Sequence, residues 1–161
     1  MFNMRIRFLF VLIISLLPIS IFSQSLFPER QPLCEILPFS IEKDSIQAQY
    51  KPKEALLVDL LKKLETRNLK KIRGELFIQV MVDPKGKPCC ISLNNQTNIT
   101  SRQLNLVNAV NAMNGWTNTK SANICAIVKL IFTDDKYIVM RLGYTSRSKF
   151  TVLDSTELKK Q

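Results

Sequence analysis

The sequence predicts an α+β domain: a small antiparallel sheet of three to four strands with two helices packed on one face. Three observations predict it. Apolar residues recur at helical spacing within 52–71 and again within 102–114. Residues 75–82 and 87–93 form two strand-like runs around the turn Asp83-Pro84-Lys85-Gly86. ICAIVKLIF, Ile124 to Phe132, is rich in β-branched residues and suits a long strand. The order is helix, strand, strand, helix, strand, with a further strand in Tyr137 to Gly143. Laying both helices on one face buries the apolar side of such a sheet.

The first helix rests on Leu57, Leu60, Leu61 and Leu64, which form one stripe of KEALLVDLLKKLETRNLKK. Pro52 suits the first helical position, Glu54 the positive first turn, and Arg67, Lys70 and Lys71 the negative last turn. In the following strand Leu76, Ile78, Val80 and Val82 alternate with Glu75, Phe77, Gln79 and Met81. Proline in second place fits a type I turn at Asp83, and Gly86 supplies the left-handed residue that closes a bulged hairpin. Residues 94–101 read as a polar loop whose Thr100 or Ser101 caps the second helix. That helix runs from Arg102 to about Asn114, with Leu106, Ala109, Val110 and Met113 on one face. Asn114-Gly115 ends it in a left-handed cap. Trp116, directly after, suits a packing anchor between helix and sheet.

Residues 1–23 read as a secretory signal peptide: Arg5 and Arg7 precede the apolar stretch Phe8 to Phe22, and Ser23 offers a cleavage position. That stretch reaches roughly 22 Å as a helix, short of a ~30 Å hydrocarbon core, and contains Pro18. An uncleaved inner-membrane anchor is the alternative, and only then would the chain contact a membrane. Residues 24–50, with Pro28, Pro32 and Pro38, read as an extended lead-in. The domain proper spans 51–143, and 144–161 reads as a polar, flexible tail. The expected location is periplasmic or envelope-associated.

Composition excludes several function classes. The formal charge is +10, but export and scattered lysines argue against nucleic acid as a partner. The chain has no histidine, so Ser-His or Cys-His nucleophilic catalysis in its usual form is excluded. Four cysteines, Cys34, Cys89, Cys90 and Cys125, lie in the exported part. They lack the Cys-x-x-Cys spacing of a zinc site or a redox pair, so no metal, cofactor or enzyme activity is expected. Disulfides suit an oxidising compartment. Cys89 or Cys90 could bridge Cys125 if their strands are neighbours, and three pairings remain open. A small thiol-redox protein is the reading from another class.

From Pro52 to Phe132 the chain resembles the C-terminal domain of TonB-family proteins. KEALLVDLLKKL is similar to the family's leading helix. RGELFIQVMVDPKGKP is similar to its glycine (Gly74), alternating strand, and aspartate-x-x-glycine turn (Asp83, Gly86). LNLVNAVNAMNGW resembles its central helix and tryptophan (Trp116), and ICAIVKLIF its final strand. The resemblance implies a non-enzymatic module that pairs a strand with a short segment of an outer-membrane transport receptor. On this chain the matching strand is Ile124 to Phe132, with Ile127, Lys129 and Ile131 sharing one face. Homodimerisation is left open. The histidine of a classical transducer's anchor and its long Pro-rich spacer have no counterpart here, so a secreted interaction domain is favoured over an atypical membrane-anchored energy transducer.

Overall fold

The computed structural model describes residues 25–160 except 33, 36, 53, 66–68 and 146–148. The segment read as a signal peptide or anchor lies outside the described residues. The fold is α+β with a mostly antiparallel sheet. Its strands are β1 (Glu29–Arg30), β2 (Phe39–Ile41), β4 (Gly74–Val82), β5 (Pro88–Thr97), β7 (Asn123–Phe132), β8 (Lys136–Tyr144) and β9 (Phe150–Lys159). The spatial order is β1-β5-β4-β7-β8-β9, and β2 lies parallel to the start of β7. A separate pair joins β3 (Ala48–Tyr50) to β6 (Trp116–Asn118). The helices are α1 (Ala55–Lys63) and α2 (Leu106–Asn111).

The alternation in β4 works as expected. Leu76, Ile78, Val80 and Val82 join Ile124, Ala126, Val128, Leu130 and Phe132 of β7 in one core with Leu57 and Leu60 of α1 and Leu106 and Val110 of α2. Both helices therefore sit on one face. The opposite face carries a smaller cluster in which Phe27 packs with Ile127 and Leu142. The lead-in is fastened there: the Leu26 amide donates to Gln79 Oε1 at 2.9 Å and the Phe27 amide to Ser92 Oγ at 3.2 Å.

The sheet is wider than the three to four strands expected, because both flanks contribute to it. β1 and β2 come from the lead-in. Residues 144–161, expected to be loose, supply the ten-residue β9. A register shift opposite Arg141/Leu142 breaks the two-residue period of β9, so its apolar residues do not alternate along the sequence. Its end is pinned by the Lys160 amide donating to Asp135 O at 2.7 Å.

Other local differences have equally local causes. α1 stops at Lys63, because Leu64 turns extended at ψ 156° while its amide still bonds Leu60 O. Pro52, Lys70 and Lys71 therefore lie outside it, and Arg67 is outside the described residues. β5 runs on through Asn94–Thr97, since these residues pair with Gly74–Phe77. Thr100 and Gln103 form a reciprocal cap, amide to side chain in both directions. It closes a single turn, after which Asn105 at φ +52° offsets the six-residue α2.

Gly86 is left-handed as expected, at φ +81°, and Asp83 Oδ1 accepts the amides of Lys85 and Lys87 at 2.8 Å each. Gly115 is not left-handed. Its small size is used instead, because a Cβ there would run into the Tyr50 ring.

Gly143 matters for a related reason. Residues 42–47 cross β8 so closely that a Cβ on Gly143 would overlap the Lys43 carbonyl oxygen. Gly143→Ala is therefore expected to lower stability by about 1–3 kcal/mol, as backbone must shift to relieve the overlap. Urea unfolding checks this, and an unchanged midpoint would mean that the 42–47 crossing is not held against β8.

Candidate functional site

A strand that captures a partner segment needs an edge with unpaired backbone groups. β7 does not have one. It pairs with β4 from Ile124 to Phe132 and with β8 from Ile127 to Phe132, while β2 takes Asn123–Cys125 on the second side. Ile127, Lys129 and Ile131 do share a face, the one opposite the helices. There Ile127 is fully buried, and Lys129 pairs with Glu75 at 2.9 Å and lies 5.0 Å over the Phe77 ring. The expected docking edge at these three residues is thus closed, because the 136–144 segment pairs along it.

The sheet's two outer edges differ. At one, β1 covers Ser92 and Leu93, the Gln31 amide donates to Ile91 O, and the Cys90 amide donates to Asn111 Oδ1. At the other, β9 pairs with β8 on one side, and no strand among the described residues pairs with its second side. β9 also carries exposed apolar side chains: Phe150 is 42%, Val152 59% and Leu158 38% exposed.

Two hollows flank β9 on the helix face. One, of about 490 Å³, lies among Leu61, Leu69, Tyr137 and Leu158. The other, of about 410 Å³, is walled by Ile46, Leu56 and Val139, by Tyr50, and by Asp154 and Thr156 of β9.

Arg141 lines the second hollow. Its alternation with Tyr137 and Val139 aims it at the core, and its side chain is only 5% exposed. The guanidinium donates to Glu42 Oε2 at 2.5 Å and to Ala48 O at 3.0 Å, and lies 5.1 Å over the Trp116 ring. Glu42 is fully buried, and its other oxygen accepts the amides of Gln47 and Ala48 at 2.7 and 2.8 Å. Arg141 Nε and Trp116 Nε1 are buried with no acceptor among the described residues. Tyr50 meets Trp116 edge-on at 5.4 Å and donates its hydroxyl to Asp59 at 2.9 Å. Burial, then Asp59, pushes the Tyr50 phenol up to about 12, so it stays a neutral donor at pH 7.

Sequence reasoning passed over Glu42 and Arg141. The available signal was an arginine at a core-facing position of YIVMRLG, since a buried charge requires a buried partner. It also missed β9.

The cysteines pair as Cys34–Cys89, tying the lead-in to β5, and Cys90 and Cys125 are free and buried. Cys125 is therefore not bridged to Cys89 or Cys90. The register of β4 with both neighbours explains this for Cys89: Met81 stands between Cys89 and Cys125, two strands apart. Burial pushes both free thiols up to about 12. Neither is expected to react with a disulfide reagent at pH 8 in the folded protein, whereas both should titrate after denaturation. Fast reaction of either native thiol would favour the thiol-redox reading.

Among the described residues, no cluster of His, Cys, Asp or Glu could hold a metal ion, and no helix is long and apolar enough to cross a membrane. No family model, curated protein or solved structure matches the chain.

Proposed function

We propose that the chain is a non-enzymatic interaction module of the cell envelope, similar in role to the TonB C-terminal domain, which receives an extended segment of a partner protein as an added strand. The observation that carries this reading is the asymmetry of the sheet's two edges. One is covered by β1 and by Asn111 capping the Cys90 amide, and the other is a ten-residue strand with no strand on its second side among the described residues. Added-strand recognition takes affinity from backbone hydrogen bonds and selectivity from alternate side chains. The hollows beside Thr156 and Leu158 offer places for such side chains, two residues apart along β9. The partner class that fits is a short, unfolded segment such as the exposed terminus of an outer-membrane transport receptor. The docking strand is then β9, not 124–132.

The test uses amide NMR of the labelled protein with synthetic peptides copied from such receptor termini in the same cell. A binding peptide is expected to shift β9 amides and slow the exchange of about every second one, leaving central β7 unmoved. Shifts centred on β5 would relocate the dock. An absence of binding by the whole peptide set would remove the receptor reading.

A further inference from the structure

The two hollows beside β9 differ in charge. The one beside Thr156 has wall residues of both signs, whereas the charged residues lining the one beside Leu158 are Lys62, Lys70 and Lys159, with no acid. Each of these lysines directly follows a leucine that lines the same hollow: Leu61 at the end of α1, Leu69 in the segment leading to β4, and Leu158 in β9. Three separate stretches of chain thus bring an apolar side chain and a cation to one place. The lysines are exposed, so their stems can lie along the apolar wall while the ammonium groups stay in water. Lys160 adds a further positive charge 4.9 Å over the ring of Tyr137, another wall residue.

This charge is not neutralised from within. None of the three lysines has an ion-pair partner among the described residues. Every aspartate and glutamate of the chain belongs to the described residues, so no acidic side chain lies outside them to serve. On the flanking elements, Asp59 of α1 accepts the Tyr50 hydroxyl at 2.9 Å, and Asp154 of β9 lines the other hollow. Glu157 of β9 pairs with Lys136 at 3.0 Å, and strand alternation turns it to the face away from Leu158. An apolar side chain in this hollow gains by burial, and a cation beside it would be repelled. A carboxylate at the rim keeps much of its hydration and meets several cations with no rival anion. Each exposed pair is weak alone, but their combined field selects by sign.

Building on the strand addition at β9, we propose that the segment received there is acidic and apolar in a fixed pattern. It sets an apolar side chain opposite Leu158 and, two residues on and so on the same face, a carboxylate that faces Lys62, Lys70 and Lys159.

Blocked hexapeptides of sequence Xaa-Thr-Val-Thr-Val-Thr, and their reversals for the other strand direction, test it with Xaa as glutamate, glutamine or lysine. Each is titrated into the ¹⁵N-labelled full-length protein. Shifts of β9 amides report strand addition, and their saturation gives the affinity. In one direction the glutamate peptide is expected to bind about tenfold tighter than the lysine peptide at low salt, with glutamine between them. The three should converge at about 1 M salt, where the screening length falls to about 3 Å. Lys62→Gln/Lys70→Gln/Lys159→Gln, at three exposed positions, is expected to abolish the preference while β9 still shifts. Equal affinities of the three peptides, with β9 shifting, would overturn the acidic class and leave strand addition standing. A glutamate preference that persists in the triple variant would put the selecting charge elsewhere and overturn it too. If no peptide of the series shifts β9, strand addition there fails and this proposal fails with it.

Discussion

Replacing Arg141 by methionine is expected to destabilise the fold by about 3–5 kcal/mol, the range found when one partner of a buried ion pair is removed. The reason is what it leaves behind. Glu42 has a fully buried carboxylate whose second oxygen already holds the Gln47 and Ala48 amides. Without the guanidinium, that charge stays in a low-dielectric interior with two neutral donors. Methionine keeps much of the packing over Trp116, so a lost contact is the smaller part of the effect. The double variant Glu42→Gln/Arg141→Met separates the two. A glutamine oxygen can still accept the same two amides, and no charge remains. The double variant should therefore be more stable than Arg141→Met alone, by roughly 1–3 kcal/mol. Urea midpoints of the four proteins in the cycle provide the measurement. If the double variant is no better than the single, the loss came from the bond to Ala48 and the stacking on Trp116, and the charge argument falls.

The pair also shows what the sequence carried legibly and what it did not. The β4 alternation, the turn at Asp83 and left-handed Gly86 are governed by neighbours a few residues away, and each is as the sequence suggested. Glu42 and Arg141 are 99 residues apart, so their pairing depends on β2 lying beside β7 where β8 diverges. No local pattern encodes that. The closed edge of β7 has the same origin. Ile124–Phe132 reads identically whether or not another strand pairs with it, and only the placement of β8 decides. β9 was hidden by its own position: an outer strand keeps polar residues, as sheet edges do, and its register shift moves Val152 out of phase with Leu158. Gly115 shows a residue type read for its torsional freedom when the fold uses it to admit the Tyr50 ring. The open sheet edge was thus not legible as a place: the strand the sequence singled out is paired on both sides, and β9 went unread.

Removing the Cys34–Cys89 bridge, by Cys34→Ser with Cys89→Ser, is the second large effect expected. The bridge closes a loop with a sequence separation of 55, and loop-closure entropy for that length gives about 4 kcal/mol. Residual order in the unfolded chain lowers this, so roughly 2–4 kcal/mol should appear as a lower unfolding midpoint. Location distinguishes this loss from a general weakening. The start of the lead-in is otherwise held by the two pairs of β1, by the Gln31 amide on Ile91 O, by Phe27 in the smaller cluster, and by the amides of Leu26 and Phe27 on Gln79 and Ser92. In the variant these lead-in amides should exchange with solvent far faster, while amides in the middle of β4 and β7 slow down or speed up only with global stability. Cys90, packed in the helix-side core, should remain unreactive, whereas Cys125, on the opposite face beside Gln79, should react faster once the lead-in is freed. Unchanged exchange at Leu26 and Phe27 together with an unchanged midpoint would show that β1 and Phe27 suffice to hold the lead-in. A lost bridge with a freed lead-in would instead expose the Gln79–Ser92 pair, joined at 2.6 Å, and open the face opposite the helices while leaving the β9 edge intact. The strand addition proposed for β9 should then survive the double substitution, as expected if the bridge is a staple of the scaffold and not part of the proposed dock.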